Sequence, residues 1–217
     1  MGTPGIKICG VTRRSDIEAM NRLGVELVGF NFVEKSPRFV TQDNAAALAA
    51  ACRPDMERVA LLVDPDDEAV ERALAAVSPH RLQLHGHETA ERVAEIKRRS
   101  HAAIIKALPV ESADDIARAA DYRHCADWFL FDAKPPQDTH LTGGLGETFD
   151  WTALSAYDLS QPYLLAGGLT AQNVAQALSV TGAPMVDAAS GVESAAGEKD
   201  ERLMEAFIAA ARGAVLG

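Results

Sequence analysis

Ile6-Lys7-Ile8-Cys9, followed at once by Gly10, is the stretch on which the fold turns. Two isoleucines alternate there with a cation and a thiol. Successive side chains of a strand point to opposite faces, so Lys7 and Cys9 share one face and Ile6 and Ile8 share the other. A strand buried in a parallel sheet is normally apolar on both faces, so a polar face needs an interior to look into. The pattern recurs. Leu82-Gln83-Leu84-His85-Gly86 aligns Gln83 with His85, Gly29 aligns with Asn31, and Met185 aligns with Asp187. In Trp128–Asp132, Phe129 and Phe131 take one face and leave Asp132 on the other.

Outward from this stretch, short apolar runs recur at Ile6–Cys9, Leu27–Phe32, Val59–Val63, Arg81–His85, Ala103–Leu108, Trp128–Asp132, Tyr163–Ala166 and Met185–Ala188. Amphipathic segments separate them. Asp64-Pro65 reads as a cap and first turn for a helix striped by Val70, Leu74 and Val77. Ser15-x-x-Glu18 has the form of a capping box, with Gly24 placed to end that helix. Val174, Ala177 and Leu178 form another stripe, and Leu203, Phe207 and Ala211 the last. After the sixth run, Trp151–Tyr157 lacks the pattern of a long helix. Strands alternating with helices give a parallel sheet. An open doubly wound sheet shows the same alternation, but a count of eight favours closure into a single (β/α)8 TIM barrel, with residues 1–217 as one α/β domain. The longest loop, Lys134–Thr148, follows a strand and reads as a functional lid.

Composition narrows the function classes. A chain of 217 residues with 47% hydrophobic residues and 24% charged can bury a full core. Its net charge of −10 argues against a nucleic-acid partner. With no run near the ~20 apolar residues of a membrane span and no signal-peptide pattern, a soluble cytoplasmic protein is expected. The three cysteines, Cys9, Cys52 and Cys125, are too widely spaced for a zinc knuckle or a disulfide framework. Cys52 and Cys125 fall in helix-like, Ala-rich surroundings, where a thiol is usually a small buried apolar group.

The polar strand positions cluster near the C-terminal strand ends, where barrel enzymes keep their active sites. Each also has a plainer reading: Cys9 as a packed thiol, Asp132 and Asp187 as turn caps, His85 as a satisfied structural histidine, and Lys7 as counter-charge for interior carboxylates. Their shared direction makes them a candidate site. The glycine-rich segments Ala166-Gly167-Gly168-Leu169-Thr170 and Ala189-Ser190-Gly191-Val192-Glu193 follow the last two runs. Their backbone N–H groups, with a helix beginning at Thr170-x-x-Asn173, suit an anion at the usual phosphate position of barrels.

Lys7-Ile8-Cys9-Gly10-Val11-Thr12, Gly29-Phe30-Asn31-Phe32, Lys35-Ser36-Pro37-Arg38, Gln83-Leu84-His85-Gly86, the segment from Gly143 through Thr148-Phe149-Asp150-Trp151, Ala166-Gly167-Gly168-Leu169 and Ser190-Gly191-Val192-Glu193 stand in an order that resembles the phosphoribosylanthranilate isomerase family. The match runs from residue 6 to about residue 212 and resembles the monofunctional form. The resemblance implies an Amadori rearrangement in tryptophan biosynthesis, with Asp132 at the position of the general acid and Cys9 at that of the general base. It implies Arg38 on the anthranilate side of the substrate, Gly167, Gly168, Ser190 and Gly191 at the phosphate, and Asp187, Gln83 and His85 lining the pocket. The implied ligand is a small phosphorylated substrate, with no cofactor, metal, nucleic acid or membrane, and the chain is expected as a monomer or homodimer.

Two demands follow. A carboxyl that donates a proton at neutral pH needs a desolvating setting, for which Trp128 is the aromatic neighbour expected. A thiol that acts as a base needs nearby positive charge, and Lys7 on the same face is the expected source. The segment Asp187-Ala188-Ala189-Ser190-Gly191 departs from the family's usual D-V-S-S-G by losing the first serine, so weaker or rearranged phosphate binding is expected, with activity kept. The rivals are other phosphate-binding barrel enzymes and a non-catalytic phospho-ligand binder. An epimerase would need His and Asp metal ligands at several strand ends, and the histidine-pathway isomerase uses two aspartates where this chain has Cys9 and Asp132.

Overall fold

The structure, a computed structural model, describes residues 2–133, 149–156 and 160–214. Eight parallel strands close into a barrel: β1 (Gly5–Cys9), β2 (Leu27–Asn31), β3 (Glu57–Leu62), β4 (Arg81–Leu84), β5 (Ala103–Val110), β6 (Trp128–Ala133), β7 (Tyr163–Leu165) and β8 (Met185–Ala188). Pairing runs in sequence order, and β8 returns to β1 with Lys7 opposite Asp187. Around it lie α1 (Arg14–Leu23), α2 (Gln42–Ala50), α3 (Asp67–Val77), α4 (Ala90–Ser100), the short α5 (Ala113–Ala117) and α6 (Ala119–Tyr122), α7 (Val174–Thr181) and α8 (Glu201–Arg212). A 3₁₀ helix, Trp151–Ala156, stands where no long helix was expected. The short hairpin β9 (Glu193–Ala195) and β10 (Glu198–Lys199) is inserted between β8 and α8. The expected lid, 134–148, lies outside the described residues.

Alternation along the strands divides the core in two. Ile6, Ile8, Val28, Phe30, Leu82, Leu84, Phe129, Phe131 and Val186 pack outward against the helices, each fully or almost fully buried. A smaller inner cluster of Leu27, Val59, Ile105, Ala107, Leu130, Leu164, Ala166 and Met185 fills the barrel. Interior layers from successive strands close the lower barrel in this way. The polar interior residues lie above that plug.

Four local expectations are corrected. The capping box does not form, because α1 starts at Arg14 and Ser15 is already helical; Glu18 pairs with Arg14 instead, while Gly24 ends the helix at φ 71°. The cap of α3 is Asp66, whose side chain accepts from the Ala69 N–H, and Asp64 accepts from the His87 N–H of the next loop. The stripe of α8 is Met204, Phe207, Ile208 and Ala211, with Leu203 exposed. Helix α7 starts at Val174; Thr170–Asn173 form a turn closed by the Thr170 N–H donating to Asn173 Oδ1.

Candidate active site

Because every barrel strand is parallel, all C-terminal ends open on one rim. Cys9 ends β1, Asp132 is the penultimate residue of β6, and His85 directly follows β4. Arg38 follows β2, Gly167 and Gly168 follow β7, and Ser190 and Gly191 follow β8. Cys9 and Asp132 are buried, as are Gln83 within β4 and Asp187 within β8.

One cluster spans β8, β1 and β2. Lys7, fully buried, donates from Nζ to Asp187 Oδ1 at 2.9 Å. Burial acts to lower the Lys7 value, but Asp187 and then Cys9 more than offset it, so the ammonium is held above its ordinary range. Cys9 is the opposite case. Burial pushes the thiol up, and the lowering by Lys7 does not overcome it. The cation expected beside the thiol is present and acts in the expected direction, but in the free site burial wins. Space for the sulfur comes from the neighbouring strand, since a β-carbon on residue 29 would lie 2.7 Å from Cys9 Sγ.

Arg38 reaches this cluster across Gly10, whose φ of 74° and missing β-carbon leave room for the arginine stem. Its loop is tied down locally: Asn31 Nδ2 donates to Ser36 Oγ, the Val33 N–H to Asn31 Oδ1, and the Arg38 N–H to Ser36 Oγ. The guanidinium donates through Nε and Nη2 to the two oxygens of Glu193 at 2.8 and 2.7 Å. Lys199, also buried, donates to Glu193 Oε1 and to the Ala189 carbonyl just before Ser190 and Gly191. Sequence reasoning did not bring Arg38, Glu193 and Lys199 together. Glu193 stands in the Ser190–Glu193 motif with no role evident from spacing, and Lys199 lies in a hairpin with no local signal.

The second cluster spans β4 and β6. His85 Nε2 lies 3.3 Å from Asp132 Oδ2, and Gln83 Nε2 lies 3.0 Å from His85 Nδ1. Trp128 does not desolvate Asp132. It begins the strand that Asp132 nearly ends, about 13 Å away along an extended chain, and its ring stacks on the Arg81 guanidinium at 4.7 Å. The neighbour of Asp132 is instead a histidine.

The two glycine loops meet. A β-carbon on Gly191 would fall 1.9 Å from the Leu169 carbonyl oxygen, so only glycine fits there. Gly167 and Gly168 adopt φ of 86° and 59°, and Asn173 Nδ2 donates to the Gly168 carbonyl. Among the described residues no group of three or more His, Cys, Asp or Glu side chains converges as a metal-ligand set.

The chain matches the family model for N-(5'-phosphoribosyl)anthranilate (PRA) isomerase over residues 6–210. A curated N-(5'-phosphoribosyl)anthranilate isomerase of Brucella canis is 48% identical over 205 residues, 94% of this chain and 92% of the relative. The crystal structure of the phosphoribosyl anthranilate isomerase of Thermotoga maritima superposes with a TM-score of 0.88 at 34% identity, covering 97% of this chain and 99% of that one. A phosphoribosyl anthranilate isomerase solved with reduced 1-(o-carboxyphenylamino)-1-deoxyribulose 5-phosphate gives 0.85 at 31% identity, with the same coverage. With a closed eight-strand barrel, a converging polar rim and matches that span nearly the whole chain, the protein belongs to the N-(5'-phosphoribosyl)anthranilate isomerase family, the isomerases of tryptophan biosynthesis.

Proposed function

We propose that the chain carries out this isomerisation at the barrel mouth, between Cys9 as general base and Asp132 as general acid. Asp132 gives its proton to the furanose ring oxygen of N-(5'-phosphoribosyl)anthranilate. The nitrogen lone pair expels that oxygen from C1′, and the sugar opens to a Schiff base. The Cys9 thiolate then takes the C2′ proton, the C–H electron pair becomes the C1′=C2′ bond, and the imine electrons return to nitrogen. The enolamine gains a proton at C1′ and loses its O2′ proton to give 1-(2-carboxyphenylamino)-1-deoxyribulose 5-phosphate. One observation carries this reading: thiol and carboxyl cap inward faces of β1 and β6 at the same rim, three strand steps apart in an eight-strand ring.

The remaining roles follow from the chemistry of the groups. Arg38 holds the substrate carboxylate with the donors that Glu193 leaves over, a task that suits a rigid fork. Backbone N–H groups of Gly167, Gly168 and Gly191, with Ser190, bind the phosphate, and Ala189 leaves this backbone cradle in place. Asp187 accepts from a ribose hydroxyl or the bridging amine through the oxygen not committed to Lys7, and His85 and Gln83 line the acid's side. The chain works in the cytoplasm, in keeping with its acidic composition and with the lack, among the described residues, of any helix long and apolar enough to cross a membrane. It works as a monomer or a homodimer, and among the described residues the exposed large hydrophobic side chains are Val180 and Leu203.

The test uses anthranilate fluorescence. Substrate is generated in situ from anthranilate and phosphoribosyl pyrophosphate by the transferase, and loss of signal is followed after adding the protein. The expected result is accelerated loss that Cys9→Ala and Asp132→Asn each cut by about 10²–10⁴-fold. Full activity in either variant sinks the assignment.

A further inference from the structure

Gln83 is almost wholly buried at 1% exposure, yet its Oε1 has no hydrogen-bond partner among the described residues, while its Nε2 faces His85 Nδ1 at 3.0 Å. A buried acceptor left unpaired is unfavourable, and a half-turn of the amide would bring Oε1 to the imidazole instead. The observed orientation needs a reason, and the other end of the ring supplies one. An Nδ1 that accepts from the amide puts the neutral ring's single proton on Nε2, the atom 3.3 Å from Asp132 Oδ2. The turned amide would require a proton on Nδ1. Nε2 would then present a bare lone pair to Asp132, and the pair could bond only if the acid placed its own proton on Oδ2, facing the histidine.

We propose that Gln83 is a positioning residue that holds His85 in its Nε2–H tautomer and thereby leaves the transferable proton of Asp132 on Oδ1. With Oδ2 already accepting from His85, protonated Asp132 carries its hydrogen on the other oxygen, free for the substrate. Gln83 acts through His85 and touches no reacting atom. The unpaired Oε1 is the cost of this arrangement. The inference rests on Asp132 being the proton donor, but its first test does not.

That test is ¹⁵N NMR of the histidine-labelled full chain, with the His85 signals assigned by their loss in His85→Asn. The expected wild-type pattern is an unprotonated, pyridine-like Nδ1 and a protonated, pyrrole-like Nε2. Gln83→Glu, nearly isosteric but able only to accept at Nδ1, is expected to protonate Nδ1. Gln83→Leu, which removes the amide donor, is expected to leave a mixture of tautomers. In the fluorescence assay both substitutions lower kcat by about ten- to a hundredfold, with Gln83→Glu the more damaging, and leave KM within about twofold. A role in packing alone predicts the reverse order, since glutamate keeps the shape and leucine does not. A wild-type His85 protonated on Nδ1 overturns the proposal whether or not the variants fold, and so does Gln83→Leu with unchanged tautomer and kcat. If Asp132→Asn stays active while the tautomer is as expected, the donor assignment fails and the hydrogen-bond chain stands.

Discussion

Lys7 and Lys106 are both strand lysines, at 0% and 1% exposure, each paired with a carboxylate, yet they point to opposite faces of the barrel wall. Lys106 looks outward from β5. Its ammonium donates to the carbonyls of Leu84, Gly86 and Ala107 and to Glu88 Oε2, and lies 5.5 Å from the Tyr122 ring centre. Glu88 in turn accepts from the N–H groups of Asp64 and Gly86. Every proton of that cation is used, and the result is a fixed corner between β4 and α4. Lys7 looks inward from β1 and has one carboxylate oxygen and a thiol for company. Two cations of equal burial thus differ in what their charge is free to do: one is consumed by its loop, and the other acts on a sulfur at the mouth.

The largest effects separate the two by where the damage appears. Removing one partner of a buried ion pair strands the other, at a cost of about 3–5 kcal/mol. Lys7→Met and Lys106→Met are therefore both expected to lose stability on that scale in urea unfolding. Only Lys7→Met is expected to change the chemistry of Cys9. A Lys106→Met variant whose thiol reactivity moved as far as that of Lys7→Met would erase the distinction.

Thiol reactivity sharpens the contrast with signs on both sides. Only the thiolate is alkylated, so the rate climbs with pH through the thiol's own value. Burial holds that value above the ordinary one in Cys9, so the iodoacetamide limb is expected at higher pH than for a free thiol. Lys7 pulls the value down and Asp187 pushes it up. Lys7→Met must move the limb to higher pH and Asp187→Asn to lower pH. At a fixed pH below the limb, the alkylation rate changes about tenfold for every pH unit the limb travels. The limb on which kcat/KM rises with pH should move with it, because the base works deprotonated. Movement in the same direction in both variants would mean that packing, not charge, governs the sulfur.

The same contrast explains what could be read from sequence. Lys7 was legible because Ile6 and Ile8 fix the phase of β1 and Cys9 shares its face. Lys106 carried the converse signal, a cation in phase with the outward Ile104 and Leu108, but its partner Glu88 lies in the next-but-one loop by space and not by spacing. Eight strands were legible from eight apolar runs. Helix starts were not, because Asp64 and Asp66 are equivalent locally and only the long-range N–H of His87 claims the first. In α8 Leu203 and Met204 offer two stripes a residue apart, and packing on the barrel chose Met204. Trp128 shares a face with Asp132 in the sequence pattern, yet four residues of extended chain separate them.

Lys199 supplies the intermediate case and the smallest effect. It is buried like the other two, and it donates both to a loop carbonyl, Ala189, and to Glu193, which in turn clamps Arg38. Desolvation pulls the Lys199 value below its ordinary one, and Glu193 only partly restores it. Glu193→Gln keeps an oxygen for Lys199 but gives Arg38 a neutral, one-oxygen partner in place of a two-oxygen anion. If Lys199 belongs with Lys106 as a structural cation, the variant loses stability and little else. If the network serves the mouth, as the direct Arg38 clamp argues, KM rises several-fold while kcat holds, since the substrate carboxylate proposed to bind Arg38 is present before and after the proton transfers. A fall in kcat at unchanged KM would instead place Glu193 with Lys7, acting on the thiol.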